Sequence, residues 1–171
     1  MSSHPPHVRI IVEMRTNNPM PKSSTIQKAK RDKRQGKSAS TQAGEFVREE
    51  IEEIREGKHG ARSAKQAIAI GLSKARRAGV KVPVPKKGRV SEETRRKAQQ
   101  DTESARSGRT RRTSRKRSKA TLAALQREPR STVSRAALSQ QARTAARKRT
   151  ATERSAAGKK AARTRARRRG K

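Results

Sequence analysis

Gly57 to Gly79 reads GKHGARSAKQAIAIGLSKARRAG, and the reading of this stretch decides the fold. It holds the densest apolar run of the chain, Ala67 to Leu72, with helix punctuation on both sides. Ser63 stands at an N-cap position and Gln66 follows three residues later, the spacing of a capping box, in which each side chain accepts a bond from the other end's backbone N–H. Gly79 stands where a helix stops in the left-handed conformation, and Arg76 and Arg77 in the last turn face the negative end of the helix dipole. The spacing predicts a helix over Ala64 to Ala78.

Upstream, Thr41 to Glu56 carries six glutamates (45, 49, 50, 52, 53 and 56) against Arg48 and Arg55. Ala43, Val47, Ile51 and Ile54, with Phe46 beside them, recur at helical spacing and predict one apolar face. Gly57 ends this helix, and the GKHG turn is short enough to make the next helix an antiparallel neighbour. On that second helix Ala64, Ile68, Leu72 and Ala75 share a side, Ala67 and Gly71 permit close approach, and Ile70 points elsewhere. The expected hairpin core is Phe46, Val47, Ile51, Ile54, Ile68 and Leu72. So few large groups balance poorly against the entropy of ordering two helices. The hairpin is expected to need a ligand or a second copy of itself, with Ile70 in the interface of the homo-oligomer.

Outside the hairpin the chain is too polar to bury. Of its 171 residues 28% are hydrophobic and 1% aromatic, with one Phe and no Trp or Tyr, which points to disorder over most of the length. The expected fold is mostly α with extensive disorder: an antiparallel helical hairpin (about 41–56 and 64–78) with long basic, conditionally helical arms. Residues 1–40 read as a basic disordered tail, in which VRIIVEM (Val8 to Met14) resembles a strand without a partner and Met20 is a candidate translation start. Residues 80–90 read as a Pro/Lys linker. Residues 91–106 read as a polar helix with no core role, and residues 107–171 as an Arg/Ala/Ser-rich tail. From Ser134 onward the tail partly repeats at an offset of twenty, Ala142-Arg143-Thr144 matching Ala162-Arg163-Thr164.

A net charge of +34 makes the chain repel itself unless it meets a polyanion, and DNA and RNA are the common ones. A membrane surface fits less well, because the basic segments oppose their cations with alanine and not with large apolar groups. Without cysteine there is no disulfide and no thiolate metal site. No apolar run reaches the roughly 18 residues that span a bilayer. The opening MSSHPPHVRIIVEM lacks the order of a signal peptide, so a cytoplasmic, nucleoid location is expected.

The residues expected to lie along phosphates are Lys65, Lys74, Arg76, Arg77, Lys81, Lys86 and Lys87, then Arg109, Arg111, Arg112, Arg115, Lys116 and Arg117. In the C-terminal part they are Arg143, Arg147, Lys148, Arg149, Arg163, Arg165, Arg167, Arg168 and Arg169. Arginine dominates there, and its fork pairs with phosphate in two-pronged fashion. Aromatic stacking platforms are missing, which favours duplex backbone over single strands. Lys65, Lys74, Arg76 and Arg77 could also serve a recognition helix. Two helices without a third support make a poor helix-turn-helix, so sequence-neutral binding is expected.

Catalysis and metal binding have little footing, and no cofactor is expected. His4 and His7 lie in the N-terminal tail without cysteine or carboxylate partners. His59, in the GKHG turn, reads as a solvated or phosphate-touching residue. No GxxxxGK[ST] phosphate loop occurs. The glutamates read as a solvated face or as partners for the neighbouring cationic helix; a further reading makes them a phosphate mimic that attracts the arms.

The run Lys65-Gln66-Ala67-Ile68-Ala69-Ile70, continued by Leu72-Ser73-Lys74-Ala75-Arg76-Arg77-Ala78-Gly79, resembles a family of small bacterial and phage proteins of unknown function marked by KQAIAI. The resemblance covers about residues 44–88. It implies a bacterial or phage origin and the helical unit, but no activity. The Ala/Arg/Lys tail is similar in composition to those of bacterial histone-like proteins and linker histones. The expected function is therefore sequence-neutral binding of duplex DNA by a nucleoid-associated, histone-like protein that is not an enzyme. The alternatives are an RNA- or ribosome-associated accessory, and an adaptor whose hairpin binds a protein.

Overall fold

The computed structural model describes residues 21–108 and 114–169. The expectations for VRIIVEM, Met20, His4, His7, Arg109, Arg111 and Arg112 lie outside the described residues, and Arg167 and Arg168 are described in backbone only. Every regular element among the described residues is helical, and the chain divides into two units, one ending at Val133 and one beginning at Ser134.

The hairpin forms the centre of the first unit. Helix α2 (Ala39–Arg55) and helix α3 (Ala64–Arg77) pack against each other along their length. Ser38 caps α2, accepting from Thr41 N, and Ser63 caps α3, accepting from Gln66 N at 3.2 Å. The reciprocal bond of the capping box lands one residue early, since Gln66 Oε1 accepts from Arg62 N at 2.7 Å. Gly79 takes the left-handed conformation (φ +84°) and ends α3 as its sequence predicts.

The seam between these helices is narrower than large apolar residues would allow. Phe46 and Ile54 are fully buried, but Val47, Ile51, Ile68 and Leu72 are only half-buried. The inner face of α3 is instead Ala64, Ala67, Gly71, Lys74 and Ala75. Gly71 sets this spacing: a Cβ there would lie 2.7 Å from Val47 Cα, closer than non-bonded carbons approach. With the backbones this near, the small residues of α3 turn into the contact, and Ile51 and Ile68 move to its margins.

Elements of its own chain cover part of the hairpin. Residues 23–34, expected to be disordered tail, form helix α1 (Ser23–Arg34), which packs on α2. Thr25, Ala29 and Asp32 face inward at helical spacing. Ala29 joins Ala43, Phe46, Ala75 and Val82 in one apolar cluster, flanked by Ile26, Leu72 and Val80. The proposed linker thus contributes Val82 to the core before it extends. Helix α4 (Glu92–Ser107), expected to have no core role, lies on α3, buries Ala98, and receives a hydrogen bond on Asp101 from Ser73.

A second cluster joins Ile54, Ala61, Ala67 and Val133, with Ile51 at its edge. Val133 comes from far along the chain. After helix α5 (Arg115–Gln126) the backbone runs past the 57–61 turn and closes with a 3₁₀ turn, Ser131–Val133. Gly60 N donates to Leu125 O at 2.8 Å, Ala61 N to Pro129 O at 3.3 Å, and Thr132 Oγ1 to Ala61 O at 2.9 Å. Arg55 Nη2 donates to Val133 O at 3.0 Å. Only glycine fits at position 60, since a Cβ would fall 1.8 Å from the Glu128 carbonyl oxygen.

The second unit holds α6 (Arg135–Arg147) and α7 (Ala151–Arg169). Ser134 caps α6. Thr150 and Glu153 form a full capping box on α7: Glu153 N donates to Thr150 Oγ1 at 3.2 Å and Thr150 N to Glu153 Oε2 at 2.9 Å. No residue of α6 is buried. Ala/Arg-rich propensity and end-capping therefore carry these helices with no tertiary core.

Candidate nucleic-acid interface

Four carboxylates are buried among the described residues, Asp32, Glu49, Glu50 and Glu53, against two cations, Lys74 and Arg76. Each acid has a local reason to be inside. Asp32 pairs with Lys37 Nζ at 2.6 Å, and Glu49 Oε1 accepts from Lys22 N at 2.7 Å, tying α1 to α2. Glu50 and Glu53 close on Lys74. Its Nζ donates to Glu53 Oε2 at 2.7 Å, and Glu50 Oε2 lies at the same distance as an ion pair without good hydrogen-bond geometry.

Lys74 is therefore withdrawn from the phosphate-facing set, being 1% exposed. Burial, the largest single influence, acts to lower its pKa, but the adjacent Glu50 and Glu53 carboxylates outweigh it and the pKa is raised. Arg76 is withdrawn too: it is 7% exposed and donates from Nη2 to Pro83 O at 3.3 Å. Burial lowers its pKa, and Asp101 partly offsets that. A recognition helix built on α3 loses two of its four cations in this way.

The glutamates of α2 are likewise not the solvated face expected of them, because Glu49, Glu50 and Glu53 are buried. Of the six glutamates that could mimic phosphate, only Glu52 and Glu56 are exposed, and Glu45 is half-buried. Pairing between the helices is the arrangement found. His59, expected in solvent, is 6% exposed, with Nδ1 3.1 Å from Gly60 O and Nε2 3.5 Å from Glu50 Oε1. Glu50, Glu53 and His59 bring one ligating atom each within 4.8 Å of one another, a spacing a metal ion could use. The Lys74 ammonium already stands against both carboxylates, so the cation of this cluster is a side chain.

With four carboxylates inside and most of the cations outside, positive charge dominates the surface. On α1 Lys30, Arg31 and Arg34 lie opposite Thr25, Ala29 and Asp32, with Lys28 and Lys33 on the flanks, all exposed. Sequence reasoning misses this set because the segment reads as tail; the three-and-four spacing of Thr25, Ala29 and Asp32 is the available signal. Of the expected phosphate-facing residues, Lys65, Arg77, Lys81, Lys86, Lys87, Arg115, Lys116 and Arg117 are exposed in the first unit. Arg143, Arg147, Lys148, Arg149, Arg163, Arg165 and Arg169 are exposed in the second. Ile70 is half-buried on α3. No helix among the described residues is long and apolar enough to cross a membrane.

Residues 22–88 match a family of unknown function (DUF6496). The matched segment begins with α1, so it takes in one helix more than the hairpin to which the sequence resemblance is confined. No curated protein and no solved structure matches the chain.

Proposed function

We propose that this protein binds duplex DNA without sequence preference, as a nucleoid-associated, histone-like protein that neutralises the phosphate backbone. The observation that carries the reading is the sorting of charge by the fold: four carboxylates are drawn inward onto Lys74, Lys37 and the Lys22 amide, while exposed cations line α1 and both helices of the second unit. A duplex condenses counterions, and each Lys or Arg that takes their place releases them to solution, an entropic gain that ignores base sequence. Arginine forks grip phosphate oxygens from any angle along the strand, and the single Phe, Phe46, is fully buried and offers no base a stacking surface. A second copy joined through Ile70 would add avidity by linking weak sites.

The test is competition between duplex DNA and ribosomal RNA for the purified protein above physiological salt. Duplex preference is expected, with log K falling against log salt at a slope near −9 if about ten phosphates are neutralised. Preference for ribosomal RNA would favour the RNA-accessory reading. Binding to neither, with a protein partner retained after removal of residues 104–171, would favour an adaptor.

A further inference from the structure

Helix α7 is built differently from the other cationic helices. On α1 the cations occupy one side because the other side packs on α2. On α7 they point both ways. At about 100° per residue, Arg154, Arg165, Arg168 and Arg169 fall within about 100° of one another, and Lys159, Lys160, Arg163 and Arg167 fall on the opposite side, about 175° away. Arg154, Lys159, Lys160, Arg163, Arg165 and Arg169 are exposed, and Arg154 also donates to the Arg149 carbonyl at 2.7 Å. Glu153 is the sole acid of this 19-residue helix, which is about 28 Å long.

We infer that α7 is a bridge that holds two separate DNA duplexes at once, one on each opposed cationic face. The inference rests on the duplex-binding reading above and adds the number of duplexes a single helix engages. One duplex lying along α7 meets one set of four cations and leaves the other set facing solvent. Like charges four residues apart, Lys159 with Arg163 and Arg165 with Arg169, weaken the helix until anions lie beside them. Neutralising both sets needs phosphates on both sides. A helix is about 10–12 Å across, so two duplexes held against it approach to about one Debye length, where they repel unless cations lie between them. Lying in one major groove is the rival arrangement. The sides between the cationic faces carry Ala162 and Ala166, and Ala157 and Thr164, which are too short to reach base edges from between the phosphate walls.

The test is capture of a second duplex. One duplex is fixed to beads, the full chain is added below saturation, and retention of a fluorescent second duplex is measured. Wild-type protein is expected to retain it, and to lose it again at large excess, when each duplex is coated separately. The quadruple variant Lys159→Gln, Lys160→Gln, Arg163→Gln, Arg167→Gln empties one face. It should cut retention about tenfold, because linked sites multiply and one is now missing. Arg154→Gln, Lys160→Gln, Arg163→Gln, Arg169→Gln removes the same charge but leaves cations on both faces, and should cut retention much less. Both variants should bind the first duplex equally well. Equal losses in the two variants, or wild-type binding to the first duplex without retention of the second, would overturn the bridge and leave duplex binding intact. Failure of wild-type protein to bind the first duplex would overturn the reading beneath it.

Discussion

Lys74 Nζ stands 2.7 Å from Glu50 Oε2, and neither side chain touches solvent. A buried ion pair contributes little net stability against a well-packed apolar pair, because both ions gave up their hydration, but removing one partner strands the other. Lys74→Met leaves Glu50 and Glu53 without their cation and is expected to cost about 3–5 kcal/mol in urea unfolding. Adding Glu50→Gln and Glu53→Gln to that variant should recover most of the loss. The salt dependence of DNA binding by the folded Lys74 variant should match that of wild type, since the ammonium does not reach phosphate.

The same pair sets an alkaline limit. The folded-state pKa of Lys74 is raised, so its stabilising contribution is complete below the unfolded value of about 10.4 and disappears as pH climbs through the folded value above it. Thermal unfolding followed from neutral to strongly alkaline pH should show the first unit losing stability above that point. Lys74→Gln, already lacking the charge, should lose less across the same interval.

Gly71 and Gly44 separate close approach from mere helix propensity. Gly71→Ala drives a methyl into Val47 and is expected to cost about 1–3 kcal/mol even after the better propensity of alanine is credited. Gly44 sits in α2 with nothing within 4 Å of its would-be Cβ, so Gly44→Ala should add about 0.5–1 kcal/mol. Denaturant midpoints of the two variants should move in opposite directions.

Val133 fastens the late segment to the hairpin turn. Val133→Ala removes apolar bulk from a fully buried position and should cost about 1.5–3 kcal/mol. Hydrogen exchange should then quicken at the Gly60 and Ala61 amides, which donate to Leu125 and Pro129.

Exposed cations on α1 should register in the salt slope. Lys30→Gln with Lys33→Gln is expected to flatten log K against log salt by about 2, at roughly 0.9 for each phosphate no longer neutralised, without changing sequence preference. An unchanged slope would remove α1 from the interface.

Much of α2 and α3 is legible in the sequence because their signals are local. Ser63, Gln66 and Gly79 act within one turn of the chain, and Phe46 and Ile54 repeat at helical spacing, so caps, bounds and two core residues follow directly. Apolar size as the mark of an inner face misplaces Ile68, which joins neither apolar cluster, and leaves Leu72 at the flank of one. Which residues face inward depends on how near the second backbone comes, and Gly71 brings Val47 nearer than an isoleucine seam permits. Helix α1 escapes sequence reading because its inner face is Thr25, Ala29 and Asp32, too weakly apolar to distinguish from a tail until α2 lies beside it.

By itself the sequence determined the positive charge, the two hairpin helices with the caps of the second, and the lack of any aromatic surface for bases. These depend on composition and on neighbours within a few residues. Tertiary structure alone decided where each charge lies. Lys74 and Arg76 look like their exposed neighbours in the sequence, and Glu50 looks like Glu52. A charge is drawn inside only when a partner from a distant element meets it there, and that meeting is a property of the packed chain.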